Sequence, residues 1–517
     1  MPNYFYLFVF LIFIPLLLFH LLTFSQYGMQ WDEAAQQHLA QATLDYVKGK
    51  TKNIVLQRED LIYYGSWFEI ANQFTGQFFW KNLNLSYVDA FHVLIFATAI
   101  IGLIFFYILV KQLLGQNTAL YGLLFLLFSP RFMAHAHYNS KDIPLAIFSI
   151  IGLFCLYLGF VKQKWLFVLL AAVTCGLAVA IRADALLIPT IFFLPYLSWS
   201  YWGKKAVFNK QNWSAITKEA LSWVIFLLFL GSTVYLLWPA LWGKPQLFFE
   251  ASNYFLRHGW QSNVLYLGKF YAGNQLPWHY APFYLMATTP LAMLTFSIFG
   301  LWDVLKKLKA KKQIMKYGLI LSWLFLPILI SFKPGIVKYD GVRHYLLIVP
   351  ALAILAGSGF SKILRKLYHS WPKFRIFTFP VILSITLLSL SYETFLIYPY
   401  GDSYFNEVLR TLIPAHIENK LEIEYWGTTY REGVNWLDQN ASKNAKICVP
   451  VADHLVQFYP LRQDLTFGCG SDSNYLMFFT RYTYLPESII KYLDNSRNQP
   501  IFTISRYNSN LMNIYKL

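Results

Sequence analysis

Long apolar runs without charged residues recur along the first four hundred positions of the chain. The run 4–24 is long enough for a helix to cross a bilayer core of about 30 Å. It lacks a basic start and a small-residue cleavage site, which favours a retained helix over a signal peptide. Ten similar runs follow, and the pattern predicts further spanning helices at 89–110, 118–134, 143–161, 166–181, 185–202, 221–242, 281–302, 317–332, 344–361 and 376–398. The predicted fold is therefore an α-helical polytopic membrane protein with about eleven transmembrane helices.

The polar segment 25–88, the first loop after a predicted span, contains a different pattern. Apolar residues from Ala35 to Tyr46 recur at the spacing of one helical face, which predicts an amphipathic helix. We expect this helix to lie in the outer membrane interface, with its apolar face toward lipid. Asp32 and Glu33 stand at its start, where Asp32 can cap the helix and Glu33 can complement its dipole. They can also supply carboxylates to a site, and the two interpretations can coexist because a capping position holds a carboxylate rigidly.

The last 119 residues, 399–517, lack long apolar runs and predict a separate small α/β domain behind the membrane domain 1–398. Their patterns predict helices at 428–441 and 486–493, and strands at 445–449, 475–481 and 500–505. Cys448 and Cys469 lie in this domain and can pair only if it is extracytoplasmic.

Composition and charge narrow the class of protein. Apolar residues make up 56% of the chain and charged residues only 13%, whereas soluble proteins carry about 25% charged residues. These values exclude an ordinary soluble enzyme, a coiled coil and a disordered chain. The net charge of the chain is +17. Residues 399–517 contain 11 Lys and Arg against 12 Asp and Glu. The positive excess is therefore found in the loops between the apolar runs. Nucleic acid is therefore not an expected partner.

The loops between the predicted spans indicate an orientation. Alternate loops contain 18 Lys and Arg residues, opposed only by Glu219 and Asp303, which marks them as cytoplasmic. The cations are Lys111, Lys162, Lys164, Lys204, Lys205, Lys210, Lys218, Lys306, Lys307, Lys309, Lys311, Lys312, Lys316, Lys362, Arg365, Lys366, Lys373 and Arg375. The N-terminus is then cytoplasmic in the cell membrane, and an odd number of spans leaves residues 399–517 outside.

A short predicted outer loop between the third and fourth spans is dense in polar groups. It contains His135, His137, Asn139, Lys141 and Asp142. Ionisable groups at membrane depth are costly and are therefore candidates for function. Asp142 also stands where a helix would start. The His-x-His spacing is a weak metal signal, so we predict no cofactor, although a divalent cation is possible.

Two further cationic positions and one aromatic position are also predicted to lie on the outer side of the membrane. Arg182 ends the fifth span, and Arg343 with His344 precedes the tenth. An Arg fork suits phosphate oxygens, while snorkelling at the interface is the alternative. Tyr64 in the first loop offers a surface on which a sugar can stack.

Three motifs together resemble the C-type membrane glycosyltransferases, especially bacterial members of glycosyltransferase family 39, which include protein O-mannosyltransferases and the lipid A aminoarabinose transferase. The motifs are Trp31-Asp32-Glu33, the run Tyr138 to Asp142, and Arg343-His344-Tyr345 followed by the apolar residues 346–350. The resemblance covers about residues 1–400.

The resemblance implies roles for these residues. Asp32 would be the catalytic base, with Glu33 beside it, and Asp142 would orient the acceptor or the base. Arg343 would contact the donor phosphate. Apart from the resemblance, Tyr64, Lys141, Arg182 and His344 are further candidates for substrate binding because they lie in the same predicted outer segments. Some relatives use a Lys of the first loop for phosphate, and only Arg58 or Lys81 could replace it here.

The resemblance implies an inverting transfer of sugar from a polyprenyl-phosphate donor to an acceptor hydroxyl on the outer face. Envelope glycan, lipid and protein remain open as acceptors. The alternatives are a flippase or transporter, or a non-catalytic binder, of lipid-linked sugars. A transporter should place its ionisable groups near the bilayer midplane, whereas here they cluster at the ends of spans.

The orientation leads to a first prediction. A cysteine introduced into residues 399–517 should react in intact cells with a membrane-impermeant reagent, because the loop charges place this part outside. A cysteine beside Lys309 should react only after the cells are lysed. Labelling beside Lys309 in intact cells, with none in the C-terminal part, would reverse the orientation.

Overall fold

The structure is a computed structural model. It describes residues 4–202, 213–257, 262–311, 313–370, 375–493 and 498–517. Five of the predicted cytoplasmic cations lie outside these residues: Lys204, Lys205, Lys210, Lys312 and Lys373.

The described part of the chain is mostly helical. Its first ten α-helices are α1 (Tyr4–Leu22), α2 (Glu33–Val47), α3 (Trp67–Leu83), α4 (Tyr87–Leu114), α5 (Gln116–Leu127), α6 (Pro130–Tyr138), α7 (Asp142–Leu156), α8 (Trp165–Val179), α9 (Leu187–Trp202) and α10 (Trp213–Leu237). The next ten are α11 (Ala240–Gly243), α12 (Leu247–Arg257), α13 (Tyr280–Ala287), α14 (Leu291–Lys309), α15 (Ile314–Ser331), α16 (Val349–Ser370), α17 (Arg375–Ile397), α18 (Glu407–Leu412), α19 (Tyr430–Asn440) and α20 (Glu487–Leu493).

The apolar helices bear out a polytopic membrane fold but not the predicted count of eleven spans. Within the described residues, seven helices are long and apolar enough to cross a membrane, or up to nine if each of two bent pairs is one span. Two shorter apolar helices, Phe10–Leu22 and Trp165–Val179, coincide with the first and fifth predicted spans. An apolar run therefore does not always become one straight helix of full length.

The first bent pair corrects the prediction for 118–134. Helices α5 and α6 meet at 70°, and Pro130 starts α6, a position where its missing N–H costs no hydrogen bond. As a result His135 and His137 lie on a buried helix rather than in a loop as predicted. Only the residues between α6 and α7 form the connection.

The second bent pair, α13 and α14, turns by 116° within the predicted span 281–302. Asn406 covers this break from the following part of the chain: its Nδ2 donates to the carbonyls of Met286 at 2.7 Å and Thr289 at 2.8 Å. Backbone groups released by a break in an apolar helix need such partners. The C-terminal part is thus packed against the helical part.

The C-terminal part forms a five-stranded sheet. Its strands are β3 (Lys446–Cys448), β4 (Thr466–Phe467), β5 (Tyr475–Phe479), β6 (Phe502–Arg506) and β7 (Ser509–Lys516), in the order β4-β3-β5-β7-β6; the earlier hairpin β1 (Asn263–Tyr266) and β2 (Lys269–Ala272) is separate. The predicted helices and three predicted strands are present, and β4 and β7 were missed. Cys448 and Cys469 form a disulfide.

The C-terminal part holds the start of the first loop in place. Arg431 of α19 makes a bidentate ion pair with Asp89 of α4, at 2.7 and 3.1 Å, and also donates to the Tyr27 carbonyl at 2.9 Å. Nε2 of His454 lies 3.1 Å from the Trp31 carbonyl. The segment that leads into α2 is therefore fixed between the helices and the sheet.

Candidate active site

Asp32 stands directly before α2, but its side chain does not cap the helix. Its Oδ2 accepts from Nζ of Lys141 at 2.9 Å and from Nη1 of Arg343 at 3.3 Å, and its Oδ1 lies 3.7 Å from Nη1 of Arg58. Asp32 therefore holds the N-cap position without a side-chain capping bond, while Glu33 lies in the first turn of α2, where its charge complements the helix dipole. Burial alone would raise the pKa of Asp32, but these three cations outweigh it and hold the pKa well below its usual range.

The connection between α6 and α7 directs Lys141 toward Asp32. Oδ1 of Asn139 accepts the backbone N–H groups of Lys141 and Asp142, at 3.1 and 2.9 Å, and its Nδ2 donates to Asp142 Oδ2 at 3.0 Å. This local turn is typical of Asn. The Lys141 side chain is only 7% exposed, and its Nζ lies 5.0 Å from the centre of the Tyr64 ring.

Arg343 begins a short 3₁₀ helix, Arg343–Ile348, that leads into α16. The preceding turn has positive φ at Asp340 and Gly341, a conformation that glycine adopts without strain. This turn lets Nη1 of Arg343 pair with Asp340 at 3.0 Å as well as with Asp32. The guanidinium lies between the rings of Tyr339 and Trp426, at 5.4 and 4.9 Å from their centres.

One atom of Arg343 has hydrogen-bonding capacity left. Its Nε is buried and makes no hydrogen bond with the described residues; Oδ2 of Asp142 lies 3.7 Å away. Its nearest charged partner is therefore Asp142, which lies outside the cavity wall.

A cavity of about 480 Å³ opens onto these groups. Charged and aromatic side chains dominate its wall, which consists of Trp31, Asp32, Arg58, Asp60, Leu61, Tyr64, Lys141, Tyr254, Ser262, Tyr339, Asp340, Arg343, Trp426, Arg481 and Tyr484. Four of the predicted site residues are among them: Asp32, Tyr64, Lys141 and Arg343. The cavity can therefore bind an anion beside a carboxylate that can accept a proton.

The other four predicted residues are not part of the cavity wall. Arg182 is buried and pairs with Asp142 Oδ1 at 2.6 Å, so these two residues support Arg343 from behind. Glu33 is buried elsewhere, with its Oε2 3.2 Å from Nε2 of His92. The ring of His344 lies 4.6 Å from that of Tyr339.

Sequence reasoning missed the contribution of the C-terminal part. Arg481 follows β5, and its Nη2 donates to Asp340 at 2.7 Å, while Trp426 and Tyr484 complete the wall. The available signal was an Arg at the end of the apolar strand pattern 475–481, where a charge needs a buried partner. Of the two candidate cations in the first loop, Arg58 lies in the cavity wall, and Lys81 is exposed near the end of α3.

Glu69 of α3 contacts the connection between α6 and α7, the segment that carries Lys141. It is buried and accepts a hydrogen bond from the Ser140 hydroxyl at 2.6 Å. Burial raises the pKa of Glu69 to about 8, against the opposing effects of Ser140 and Lys141. Near neutral pH this carboxyl group is therefore mostly protonated.

Two solved structures match the whole chain. The crystal structure of ArnT from Cupriavidus metallidurans bound to undecaprenyl phosphate is 13% identical, with a TM-score of 0.54 and coverage of 98% of both chains. The apo structure of the same protein is 12% identical, with a TM-score of 0.52 and coverage of 97% of both chains. This chain has the C-type glycosyltransferase fold.

A comparison of the sequence with known protein families also finds a glycosyltransferase family, over part of the chain. Residues 83–238 match the family described as dolichyl-phosphate-mannose-protein mannosyltransferase, and in the C-type fold of this chain they run from the end of α3 through α10. No protein of curated function matches the chain significantly. The resemblance deduced from the three motifs is confirmed.

Glu69 provides a prediction about pH. Because the folded protein holds a proton on Glu69 that the unfolded chain releases above its ordinary pKa of 4.5, stability should fall as the pH rises from 4.5 to about 8 and then level off. Glu69→Gln cannot ionise, so its melting temperature relative to that of the wild type should rise with pH from 4.5 to about 8 and stay constant above about 8. The exposed Glu59→Gln is the control. A difference that stays constant with pH would contradict the assignment.

Proposed function

We propose that this chain is an integral membrane glycosyltransferase that moves a sugar from a polyprenyl-phosphate donor to an acceptor hydroxyl. The observation that carries the proposal is the Asp32 carboxylate, which lies in one cavity with Lys141 and Arg343. A carboxylate can accept the acceptor's proton, and two buried cations can stabilise a departing phosphate. Both requirements of the transfer are met by residues that lie next to one another.

Lys141 and Arg343 are the proposed ligands of the donor phosphate. Arg343 lines the cavity together with Lys141, and a guanidinium group binds phosphate oxygens in a fixed plane. The matched ArnT structure contains undecaprenyl phosphate, which supports a donor of the same class here. Arg58, at the more open side of Asp32, is the additional cation of the first loop.

The transfer is a single displacement at the anomeric carbon. Asp32 takes the proton of the acceptor hydroxyl as its oxygen forms the new bond to that carbon. The bond from the anomeric carbon to the phosphate oxygen breaks, and the phosphate leaves with the electron pair. Attack from the face opposite the phosphate inverts the configuration. Tyr64 and the other aromatic rings of the wall provide surfaces against which the sugar can stack.

The proposed location of this reaction is the outer face of the cell membrane. The cation bias of the predicted loops supports it. The Cys448–Cys469 disulfide supports it independently, because disulfides persist in oxidising compartments. The acceptor would be an envelope glycan, lipid or protein.

The positions of the charged groups favour an enzyme over a transporter. Asp32 precedes α2, Lys141 precedes α7 and Arg343 precedes α16, whereas transporter sites use broken helices at the bilayer midplane. Mass spectrometry of envelope glycans and lipids from a deletion strain tests the function directly. A missing sugar would identify donor and acceptor together, whereas accumulation of the intact lipid-linked sugar on the cytoplasmic side of the membrane would indicate a flippase.

Arg343 provides a prediction for donor binding. Arg343→Ala should weaken polyprenyl-phosphate binding about 10- to 150-fold, since a charge-assisted contact contributes roughly 1.5–3 kcal/mol. Arg343→Lys should recover only part of this affinity because lysine lacks the planar fork. Binding can be titrated with the purified variants in detergent. Unchanged affinity in Arg343→Ala would assign this residue to structure alone.

Asp32 provides the prediction for chemistry. Asp32→Asn keeps the shape of the side chain but cannot accept a proton, so transfer should slow by roughly 10²–10⁴-fold. The purified variant should melt below the wild type, because buried Lys141 loses its carboxylate partner, but it should still fold, retain donor binding and fail to restore the missing envelope sugar in the deletion strain.

Glu33→Gln is the matched comparison, because Glu33 is adjacent in sequence and lies outside the cavity wall. It should cost less activity than Asp32→Asn. Near-normal turnover in a stable Asp32→Asn protein would remove Asp32 as the base and favour a non-catalytic binder.

A further inference from the structure

Asp32, the proposed base, forms ion pairs with Lys141 and Arg343, the two cations that are proposed to bind the phosphate. Oδ2 of Asp32 lies 2.9 Å from Nζ of Lys141 and 3.3 Å from Nη1 of Arg343. The side chains of these cations are only 7% and 5% exposed, so water competes little for them. A phosphate that binds Lys141 and Arg343 must therefore share them with Asp32 or replace it.

The charges of the cavity wall match this competition. The wall contains four cations, Arg58, Lys141, Arg343 and Arg481, and three carboxylates, Asp32, Asp60 and Asp340. Its net charge is therefore +1 with Asp32 ionised and +2 with Asp32 protonated. The donor is a phosphate diester with one negative charge, and the leaving lipid phosphate carries about −1.5 to −2 at neutral pH. The net charge of the wall therefore matches the charge of the donor when Asp32 is ionised, and it matches the charge of the product when Asp32 is protonated.

We propose, on the basis of the proposed function, that Asp32 is also the internal anion that expels the lipid-phosphate product. During transfer Asp32 gains the acceptor's proton, and its attraction for Lys141 and Arg343 falls as the phosphate gains charge. When Asp32 later gives this proton to water, its carboxylate again pairs with both cations and weakens their hold on the phosphate. Proton release and product release are thus linked at one side chain.

Other groups around Asp32 set the strength of this link. Arg58 faces its Oδ1, and the phenols of Tyr64 and Tyr339 and the carboxyl group of Glu69 also interact with it electrostatically. Asp340 competes for the same Nη1 of Arg343 at 3.0 Å. Asp340 has a second partner, because Arg481 donates to its other oxygen at 2.7 Å. Asp32 is therefore the carboxylate of the wall that shares both Lys141 and Arg343.

The test is equilibrium binding of undecaprenyl phosphate to the full-length protein in detergent, with no sugar or acceptor present. Asp32→Asn and Asp32→Ser both remove the competing charge with side chains of different size, so either stable variant is informative. Each should bind undecaprenyl phosphate at least about 10-fold more tightly than the wild type, the order of one charge-assisted contact. Undecaprenol, which has no phosphate, should bind all proteins equally.

Asp60→Asn is the matched control. Asp60 lies in the same wall and its substitution removes the same charge, but Asp60 pairs with Arg58, at 2.8 Å. It should raise the affinity clearly less than Asp32→Asn. An equal rise in both variants would mean a general charge effect and would overturn the inference, as would equal binding by wild type and the Asp32 variants. Absence of undecaprenyl-phosphate binding in every protein would instead overturn the proposed donor class.

Discussion

The ion pairs of Asp32 with Lys141 and Arg343 are the interaction on which the rest of the site depends. Each of these charges is largely withdrawn from water, and an ion buried without a partner costs several kcal/mol. The cluster is therefore tolerated only if the start of α2, the connection before α7 and the 3₁₀ turn before α16 meet at one point. The site and the packing of these three elements stabilise each other.

The C-terminal part is included in this cluster and does not simply cover it. Trp426 packs on the Arg343 guanidinium, and Arg481 pairs with Asp340, which pairs in turn with Arg343. Outside the cavity wall, Arg431 binds Asp89 of α4. The sheet domain thus contributes residues of the cavity wall, a charge next to Arg343 and an ion pair that attaches it to the helices. Its loss would change the electrostatics around Asp32 and expose the cavity to water.

The proposed reaction requires this site to bind a phosphate with cations and also to keep a carboxylate that can accept a proton, and these two requirements conflict. Cations that bind a phosphate well would also lower the proton affinity of a nearby base. In this cavity the cations and the carboxylate pair with each other, and in the proposed reaction a phosphate that takes up the cations would leave the carboxylate more basic. Binding of the donor would therefore prepare the base, and the same pairing in reverse would favour release of the product.

The sequence alone determined the features that depend on local pattern. Apolar runs predicted a polytopic helical protein, the spacing from Ala35 to Tyr46 predicted α2, and the 428–441 pattern predicted α19. Ionisable groups at the ends of apolar runs identified Asp32, Lys141 and Arg343, because such groups are costly at membrane depth. The bend between α5 and α6 was missed, since an apolar run has the same composition whether its helix is straight or broken.

Only the tertiary structure decided which of these charges meet. Asp32 pairs with groups 109 and 311 positions away, and no local pattern encodes a contact across such a distance. Neighbours in sequence separate in space: Asp32 faces the cavity and Glu33 faces His92, because successive helical positions point in different directions. Trp426 and Arg481 lie in a part that the pattern treats as a separate domain. The chain therefore specifies its candidate groups locally, and packing of distant elements selects the ones that form the site.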